Sequence, residues 1–278
     1  MNRSLAAALF ALAALTVATP ASAASAWHKE IGGTLRVSAD APAPDGTATA
    51  ALHIRMDEGF KTYWRNPGRS GIPPVVSFFG SQNVESAELE LPPPHVFRDP
   101  NDLSVGYKGE VAFPVRVKVK DASKPYRLQV TGTVGFCADI CVPVPFRLSD
   151  SSLTPMPPGL KALVEGHRRA VIAPSDDFHV SGVTYDRLAR RLHVEAIVPD
   201  RDVAYELVVD GPDGLPVKLP PAADAIRQEG TKATFIFDLA RDVPLEGHEV
   251  TTMLVVARFG LAGRVGVRQT MPVTVVEE

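Results

Sequence analysis

The stretch YRLQVTGTVGFCADICVPVPFRL, residues 126–148, contains two segments in which apolar and polar residues alternate. Its apolar side chains share even positions: Tyr126, Leu128, Val130, Val134, Phe136, Val142, Val144, Phe146 and Leu148. Alternation with a period of two is the pattern of a β-strand that buries one face. Residues 138–140 separate the segments, a length that suits a hairpin loop. The stretch therefore predicts two antiparallel strands joined by a tight turn.

The same alternation occurs along much of the chain. It is clearest in GTATAALHIRM (46–56) and VAFPVRVKVK (111–120), and strands are also expected at 191–198, 204–210, 233–239 and 252–259, with a last one ending near 276. The chain contains 25 prolines, several of them clustered between these segments. Many short strands separated by proline and glycine predict an all-β fold of antiparallel sandwiches, with the immunoglobulin-like type as the default.

One segment departs from this period. In PPGLKALVEGHRRAVIAP (157–174) the apolar residues follow helical spacing, prolines precede the first turn and another proline follows the last. Prolines in these places suit the start and the end of a helix. The expected organisation is a β domain at 27–152, a linker with a short helix at 153–175, and a second β domain at 176–278.

The N-terminus has the features of a secretory signal peptide. A short basic start, an apolar run at 5–17 and the small residues at 21–23 precede the expected cleavage after residue 23. The alternative is an N-terminal membrane anchor. No other stretch approaches the roughly 20 apolar residues of a spanning helix, so an exported, soluble protein without later membrane insertion is expected. A net charge of −3 gives no electrostatic reason to expect nucleic acid or anionic lipid as a partner.

Cys137 and Cys141 are the only two cysteines of the chain. Both fall at odd positions, on the polar face of their strands, and a three-residue loop would place them opposite each other within reach of a disulfide. Closing so short a loop stabilises by only about 2 kcal/mol. A chain of this length can bury enough apolar surface to fold stably without a disulfide. The pair is therefore a structural disulfide, a soft-metal site for an ion such as Cu(I), or a dithiol that exchanges electrons.

Other site chemistry finds little support in the sequence. The histidines are scattered, and His53 and His193 are expected on outward, solvated strand faces. No methionine or histidine cluster accompanies the cysteines, which argues against the metal site. There is no Ser/His/Asp arrangement, no glycine-rich phosphate loop and no His/Glu spacing of the metal-binding kind. Neither a hydrolase nor a nucleotide-dependent enzyme is indicated, and no cofactor is expected.

Four runs of sequence resemble the N-terminal periplasmic domain of DsbD-type thiol:disulfide interchange proteins, especially the ScsB-type copper-sensitivity suppressors. They are GFKTYWRNPGRSGIPP (59–74), LPPPHVF (91–97), VGYKGEVAFPVRV (105–117) and VGFCADICVPVPFRL (134–148). The resemblance spans about residues 28–150 and weakens over 176–278. It implies an immunoglobulin-like periplasmic domain whose cysteine pair relays electrons to or from thioredoxin-like proteins, an activity of the protein-disulfide reductase kind.

The resemblance also implies roles for individual residues. By position, Cys141 is the attacking thiol and Cys137 the resolving thiol. Asp139 is either a proton acceptor for an attacking thiol or an ordinary turn residue. A covering loop corresponds to residues 97–105, with Phe97 as its aromatic lid and Tyr107 nearby, although aromatic residues beside strands are more often core.

Partners are expected to be separate proteins, because the sequence shows neither later membrane segments nor a second cysteine pair of thioredoxin type. They would be thioredoxin-like periplasmic proteins and a membrane electron donor. The competing hypothesis is a non-catalytic binding or scaffold protein with a structural disulfide, connected with copper or cell-envelope stress.

Overall fold

The computed structural model describes residues 25–99, 102–199, 203–212, 218–257 and 264–277. The expected signal peptide, residues 1–23, lies outside the described residues, as do residues 100 and 101 of the expected covering loop. Strands make up most of the described chain. No helix in these ranges combines the length and the apolar character that crossing a membrane requires.

Residues 28–151 form a sandwich of two mainly antiparallel sheets. Its strands are β1 (His28–Glu30), β2 (Gly33–Ala39), β3 (Thr47–Met56), β4 (Lys61–Gly68), β5 (Val75–Ser77), β6 (Val84–Leu89), β7 (His95–Asp99), β8 (Asp102–Lys108), β9 (Glu110–Val119), β10 (Arg127–Cys137) and β11 (Cys141–Ser151). One sheet has the order β1-β2-β3-β9-β6. The other has the order β11-β10-β4-β8-β7, with β5 added beside β10.

The core of this sandwich comes from the residues that the alternation selects. Leu52 pairs with Phe113 and Ile54 with Val111 across β3 and β9, and all four side chains are buried. Their partners from the other sheet include Trp64, which is 1% exposed. Burying a side chain of this size stabilises by roughly 1.5–3 kcal/mol relative to leaving it in water. The expected buried faces of the strands at 46–56 and 111–120 are therefore confirmed.

The second half of the chain begins with helix α1 (Pro158–Ala170) and continues as a second pair of sheets. The strands are β12 (Val171–Ile172), β13 (His179–Asp186), β14 (Arg191–Ile197), β15 (Ala204–Asp210), β16 (Ala225–Glu229), β17 (Lys232–Asp238), β18 (Glu249–Ala257), β19 (Arg264–Pro272) and β20 (Thr274–Val276). The sheet orders are β12-β19-β18-β15 and β16-β17-β14-β13-β20. The expected fold class, two β-sandwiches with one short helix between them, is confirmed.

The helix packs on the first sandwich. Its buried residues Leu160 and Val164 lie in one cluster with Ala51 and Ala112, which point outward from β3 and β9. Proline at the start of the helix lacks the N–H that would otherwise be left without an intrahelical acceptor. The segment that joins the two sandwiches thus also covers one outer face of the first.

The two sandwiches also contact each other directly. Asn66 of β4 is 4% exposed, and its Nδ2 donates to the carbonyl oxygens of Val209 (2.8 Å) and Leu219 (3.1 Å) in the second sandwich. Arg98 of β7 donates from Nη2 to the Ala223 carbonyl at 2.9 Å. Strands β4 and β7 of the first sandwich are therefore held against the second.

His53 corrects one expectation. It does face outward from β3, but it is only 2% exposed because Trp27 and Arg36 cover it. Its Nδ1 accepts from Arg36 Nε at 3.3 Å, so its Nε2 carries the proton and donates to Glu110 at 2.6 Å. Burial is the largest cause that lowers the pKa of His53; the hydrogen bond to Glu110 opposes it, and the charges of Arg36 and Arg55 act with burial.

This arrangement predicts a pH-dependent loss of stability. The unfolded chain binds a proton at His53 near the ordinary pKa of about 6.5, whereas the folded chain binds it only at lower pH. The stabilisation that comes from keeping His53 neutral is therefore fully present above the unfolded pKa of about 6.5. It is lost as the pH falls from there through the lowered pKa of the folded protein. Urea denaturation between pH 7.5 and pH 5 should show this decline in the free energy of unfolding, and His53→Gln should make it shallower. His95 and His167, whose pKa values burial also lowers, contribute to the slope that remains in the variant. An identical slope in His53→Gln would contradict this assignment.

Candidate functional site

The two cysteines end and begin adjacent strands of one hairpin. Cys137 is the last residue of β10, Cys141 is the first of β11, and they are directly paired. A disulfide joins them, with their Cα atoms 4.1 Å apart. The Ala138 N–H donates to the Ile140 carbonyl at 3.2 Å and closes the three-residue loop. The predicted hairpin and the predicted opposition of the two cysteines are both confirmed.

The two sulfur-bearing residues differ in exposure. Cys137 is 1% exposed, whereas Cys141 is half-buried. Both cysteines lie on the expected polar face of their strands, but this face does not leave Cys137 exposed, and the segment 70–72 lies against it. A Cβ placed at Gly135, two residues before Cys137, would lie 2.7 Å from Ile72 Cβ. The disulfide therefore lies at the edge of this covering segment, with Cys141 on the open side.

Cys141 has two polar neighbours. Its Sγ lies 3.0 Å from the Ser70 carbonyl oxygen and 3.5 Å from the Tyr63 hydroxyl. A disulfide sulfur has no proton, so in the oxidised protein only the Tyr63 hydroxyl can donate in these contacts. Burial, with the carboxylates of Asp102 and Asp99, raises the pKa of Tyr63 to about 12. The hydroxyl therefore keeps its proton at neutral pH and remains available to sulfur.

A row of directly paired residues crosses the sheet at the disulfide. Cys141 pairs with Cys137, Cys137 with Lys61 of β4, and Lys61 with Lys108 of β8. Residues paired in this way project to the same face of a sheet. Lys61 is 8% exposed, and its Nζ donates to Ser104 Oγ at 2.8 Å. A buried ammonium group thus shares the face of the cysteine pair.

Lys61 and Tyr63 were not identified as site residues from the sequence. A signal was present, since both lie at odd positions in the run 59–74, on the polar side of a strand whose even position 64 is a core tryptophan. Ser70 carried no comparable signal, because it contributes only its backbone oxygen.

The structure separates the two aromatic residues expected near the pair. Phe97 pairs with Ser104 on the same face as Lys61, and its ring centroid lies 5.4 Å from Lys61 Nζ and 4.6 Å from Lys108 Nζ. Tyr107 faces the opposite side of the sheet, in the core, where its hydroxyl donates to the Pro92 carbonyl at 2.8 Å. From that side its ring does not cover the disulfide, so the expectation that Tyr107 belongs to the lid is wrong.

The hairpin tip is open to solvent. Asp139 and its neighbours 138 and 140 are exposed, and Ile140 keeps 75% of its surface accessible. Within the described residues, no group of three or more His, Cys, Asp or Glu side chains is arranged to hold a metal ion. A cysteine pair in this arrangement can take part in thiol–disulfide exchange, and Cys141 is the less buried of the two residues.

Comparison with known proteins finds a family model that matches the first sandwich and a solved structure with a similar fold. Residues 34–152 match the family model described as "Thiol:disulfide interchange protein DsbD, N-terminal". The fold is similar to the crystal structure of the N-terminal periplasmic domain of ScsB from Proteus mirabilis, with a TM-score of 0.70 at 20% sequence identity. That similarity covers 90% of this chain and 98% of the solved one, so it includes both sandwiches. No curated protein sequence matches the chain.

The covering role of the segment 70–72 can be tested at Gly71. A Cβ at this position would lie 2.8 Å from the Tyr63 ring and 2.5 Å from Pro67 Cβ, distances that force the segment to move. Gly71→Ala should therefore expose the disulfide and speed its reduction by dithiothreitol several-fold, as followed by alkylation and mass spectrometry. Gly159→Ala, where an added Cβ meets nothing within 4 Å, is the matched control and should react like the wild type. Equal rates in all three proteins would show that segment 70–72 does not limit access.

Proposed function

We propose, from the premise that residues 34–152 form a DsbD-type N-terminal domain, that the Cys137–Cys141 pair exchanges electrons with thioredoxin-like proteins. The observation that carries the proposal is the inequality of the two sulfurs. Cys141 is half-buried with an open side, and Cys137 is almost wholly buried behind it. An exchange site needs one sulfur that a partner reaches and a second that stays within reach of the first.

The reaction is a two-electron exchange in two steps. A thiolate of the reduced partner attacks Cys141 Sγ, the intramolecular S–S bond breaks, and Cys137 leaves as a thiolate that takes up a proton. The second thiolate of the partner then attacks the partner's sulfur in the mixed disulfide and releases Cys141 as a thiolate, which is protonated in turn. The partner ends as a disulfide and this chain as a dithiol; the reverse sequence reduces an oxidised partner.

The surroundings of Cys141 support its role as the sulfur that meets the partner. Ile140 beside it is exposed and offers an apolar contact at the hairpin tip. The Tyr63 hydroxyl, 3.5 Å from Cys141 Sγ, can donate to the negative charge that develops there. Asp139 lies in the same exposed loop, where it can accept a proton from an approaching thiol. Phe97 is the aromatic side chain of β7 proposed to cover the pair from the side of Lys61.

The cellular setting is part of the same proposal. An apparent signal peptide at 1–23 and the fold of a periplasmic ScsB domain support export to the periplasm. Electrons would then come from a membrane electron donor, and thioredoxin-like periplasmic proteins would be the other partners.

The competing function is that of a binding or scaffold protein in which the disulfide is structural. The cover at 70–72 is the observation that favours this alternative, since a segment that lies over a disulfide hinders exchange. Trapping a partner and measuring the redox potential separate the two.

Single cysteine variants should distinguish the roles of the two sulfurs. With the resolving thiol removed, the mixed disulfide cannot be cleaved from within and should accumulate. Cys137→Ser should therefore form covalent complexes with a thioredoxin-like protein on non-reducing gels, and reductant should dissolve them. Cys141→Ser is the matched control and should form few or none. Monomers alone in both variants would favour the scaffold alternative, and the reverse pattern would exchange the two roles.

The redox potential of the pair should lie above the value of about −300 mV below which structural disulfides typically fall. The physical reason is that one sulfur is accessible and the short loop contributes only about 2 kcal/mol of stabilisation. Equilibration with glutathione or dithiothreitol buffers, followed by alkylation and mass spectrometry, measures this potential. A bond that resists reduction until the protein unfolds would contradict the exchange function.

A further inference from the structure

We propose that the buried ammonium group of Lys61 stabilises the thiolate that Cys137 carries when its disulfide opens. The inference rests on the proposed exchange function. It adds that a charged residue, Lys61, acts on the sulfur that leaves, that of Cys137. Lys61 is the cross-strand partner of Cys137 on the same face of the sheet. The Cβ atoms of directly paired residues lie about 4.5–5.5 Å apart.

Cys137 is a poor leaving group unless something compensates for its burial. At 1% exposure its thiolate is largely cut off from water, and desolvation disfavours the charged form. A neighbouring cation has the opposite effect on a cysteine. Because exchange is faster when the leaving thiol forms its thiolate more readily, a cation beside Cys137 accelerates the opening of the disulfide.

The ammonium group of Lys61 is held by neighbours on β8 and β7. Its side chain is 11% exposed, and Nζ donates to the buried Ser104 Oγ. A second contact, to an Asp99 carboxylate oxygen, is longer at 3.4 Å, and the Asp99 side chain is 62% exposed. Water therefore screens the carboxylate much more than the ammonium group, and an exposed pair of this kind is weak.

The other charged groups near this face lie closer to solvent than Lys61. They are Lys108, Asp99, Asp102 and Asp139. Lys108 continues the same row of paired residues but is one strand farther from Cys137 and exposed. Asp139 lies at the exposed hairpin tip, and Asp102 and Asp99 act on Tyr63. Since solvent screens exposed charges more than buried ones, we expect these groups to act on Cys137 more weakly than Lys61 does.

The test isolates Cys137 in a Cys141→Ser background and measures its rate of alkylation by iodoacetamide from pH 6 to pH 10.5. Mass spectrometry of the peptide that contains Cys137 gives the rate, and its pH midpoint reports the thiolate. Lys61→Met should raise this midpoint by roughly half to one pH unit, the order expected for the loss of one neighbouring cation at the effective dielectric constants of protein sites. Lys61→Arg keeps the charge and should restore most of the original midpoint.

Lys108→Met is the matched control, because it removes an exposed cation from the same row; its shift should be less than half as large. An unchanged midpoint in Lys61→Met would overturn the proposal, and so would equal shifts in Lys61→Met and Lys61→Arg, since these would indicate packing rather than charge. If Lys61→Met does not fold, Lys61→Gln keeps a donor for Ser104 and gives the same comparison.

The experiment uses a small reagent and no partner protein. A protein that fails to trap thioredoxin-like partners but shows the Lys61-dependent shift would refute the exchange function and retain the electrostatic role of Lys61. The opposite result would refute the role of Lys61 alone.

Discussion

The site depends on the register of four adjacent strands, β11, β10, β4 and β8. Backbone pairing places Cys141 opposite Cys137 and Cys137 opposite Lys61, so the sulfurs and a buried cation share one face. A shift of one residue in any of these strands would turn its side chains to the opposite face. The alternating apolar residues on the core side oppose such a shift, because each would leave the core. The packing of the core-facing side chains thus determines which residues lie next to each other on the outer face of the sheet.

The cover over this outer face makes the two sulfurs different. Segment 70–72 lies across Gly135 and against Tyr63, and it leaves Cys137 buried while Cys141 keeps an open side. A charge that solvent does not screen favours the thiolate of a buried sulfur, and in our proposal Lys61 supplies this charge. The second sandwich contacts β4 through Asn66, two residues after Trp64. The strand that carries Lys61 is therefore fixed both by its own sheet and by the second sandwich.

Alternation and turn chemistry were sufficient to predict the hairpin, the helix and many of the strands, since these follow from neighbours in sequence; β4 and β8, which border the site, were not among the predicted strands. The buried faces of β3 and β9 and the pairing of Cys137 with Cys141 are examples. The burial of Cys137 and His53 could not be predicted, because both lie on the polar side of their strands and are covered by distant segments, near residue 72 and at Trp27. The position of Tyr107 was also not predictable, because its place in the family motif did not show that its side chain points into the core.

The central claim is that the Cys137–Cys141 disulfide is built for exchange with another protein. The most direct measurement is the second-order rate constant for its reduction by a purified, reduced thioredoxin-like protein, compared with that for dithiothreitol under the same conditions. A site recognised by such a partner should be reduced by the protein much faster than by the small thiol, because docking brings the attacking thiolate to Cys141. A rate constant for the protein no greater than that for dithiothreitol would contradict the account and leave the disulfide a structural one.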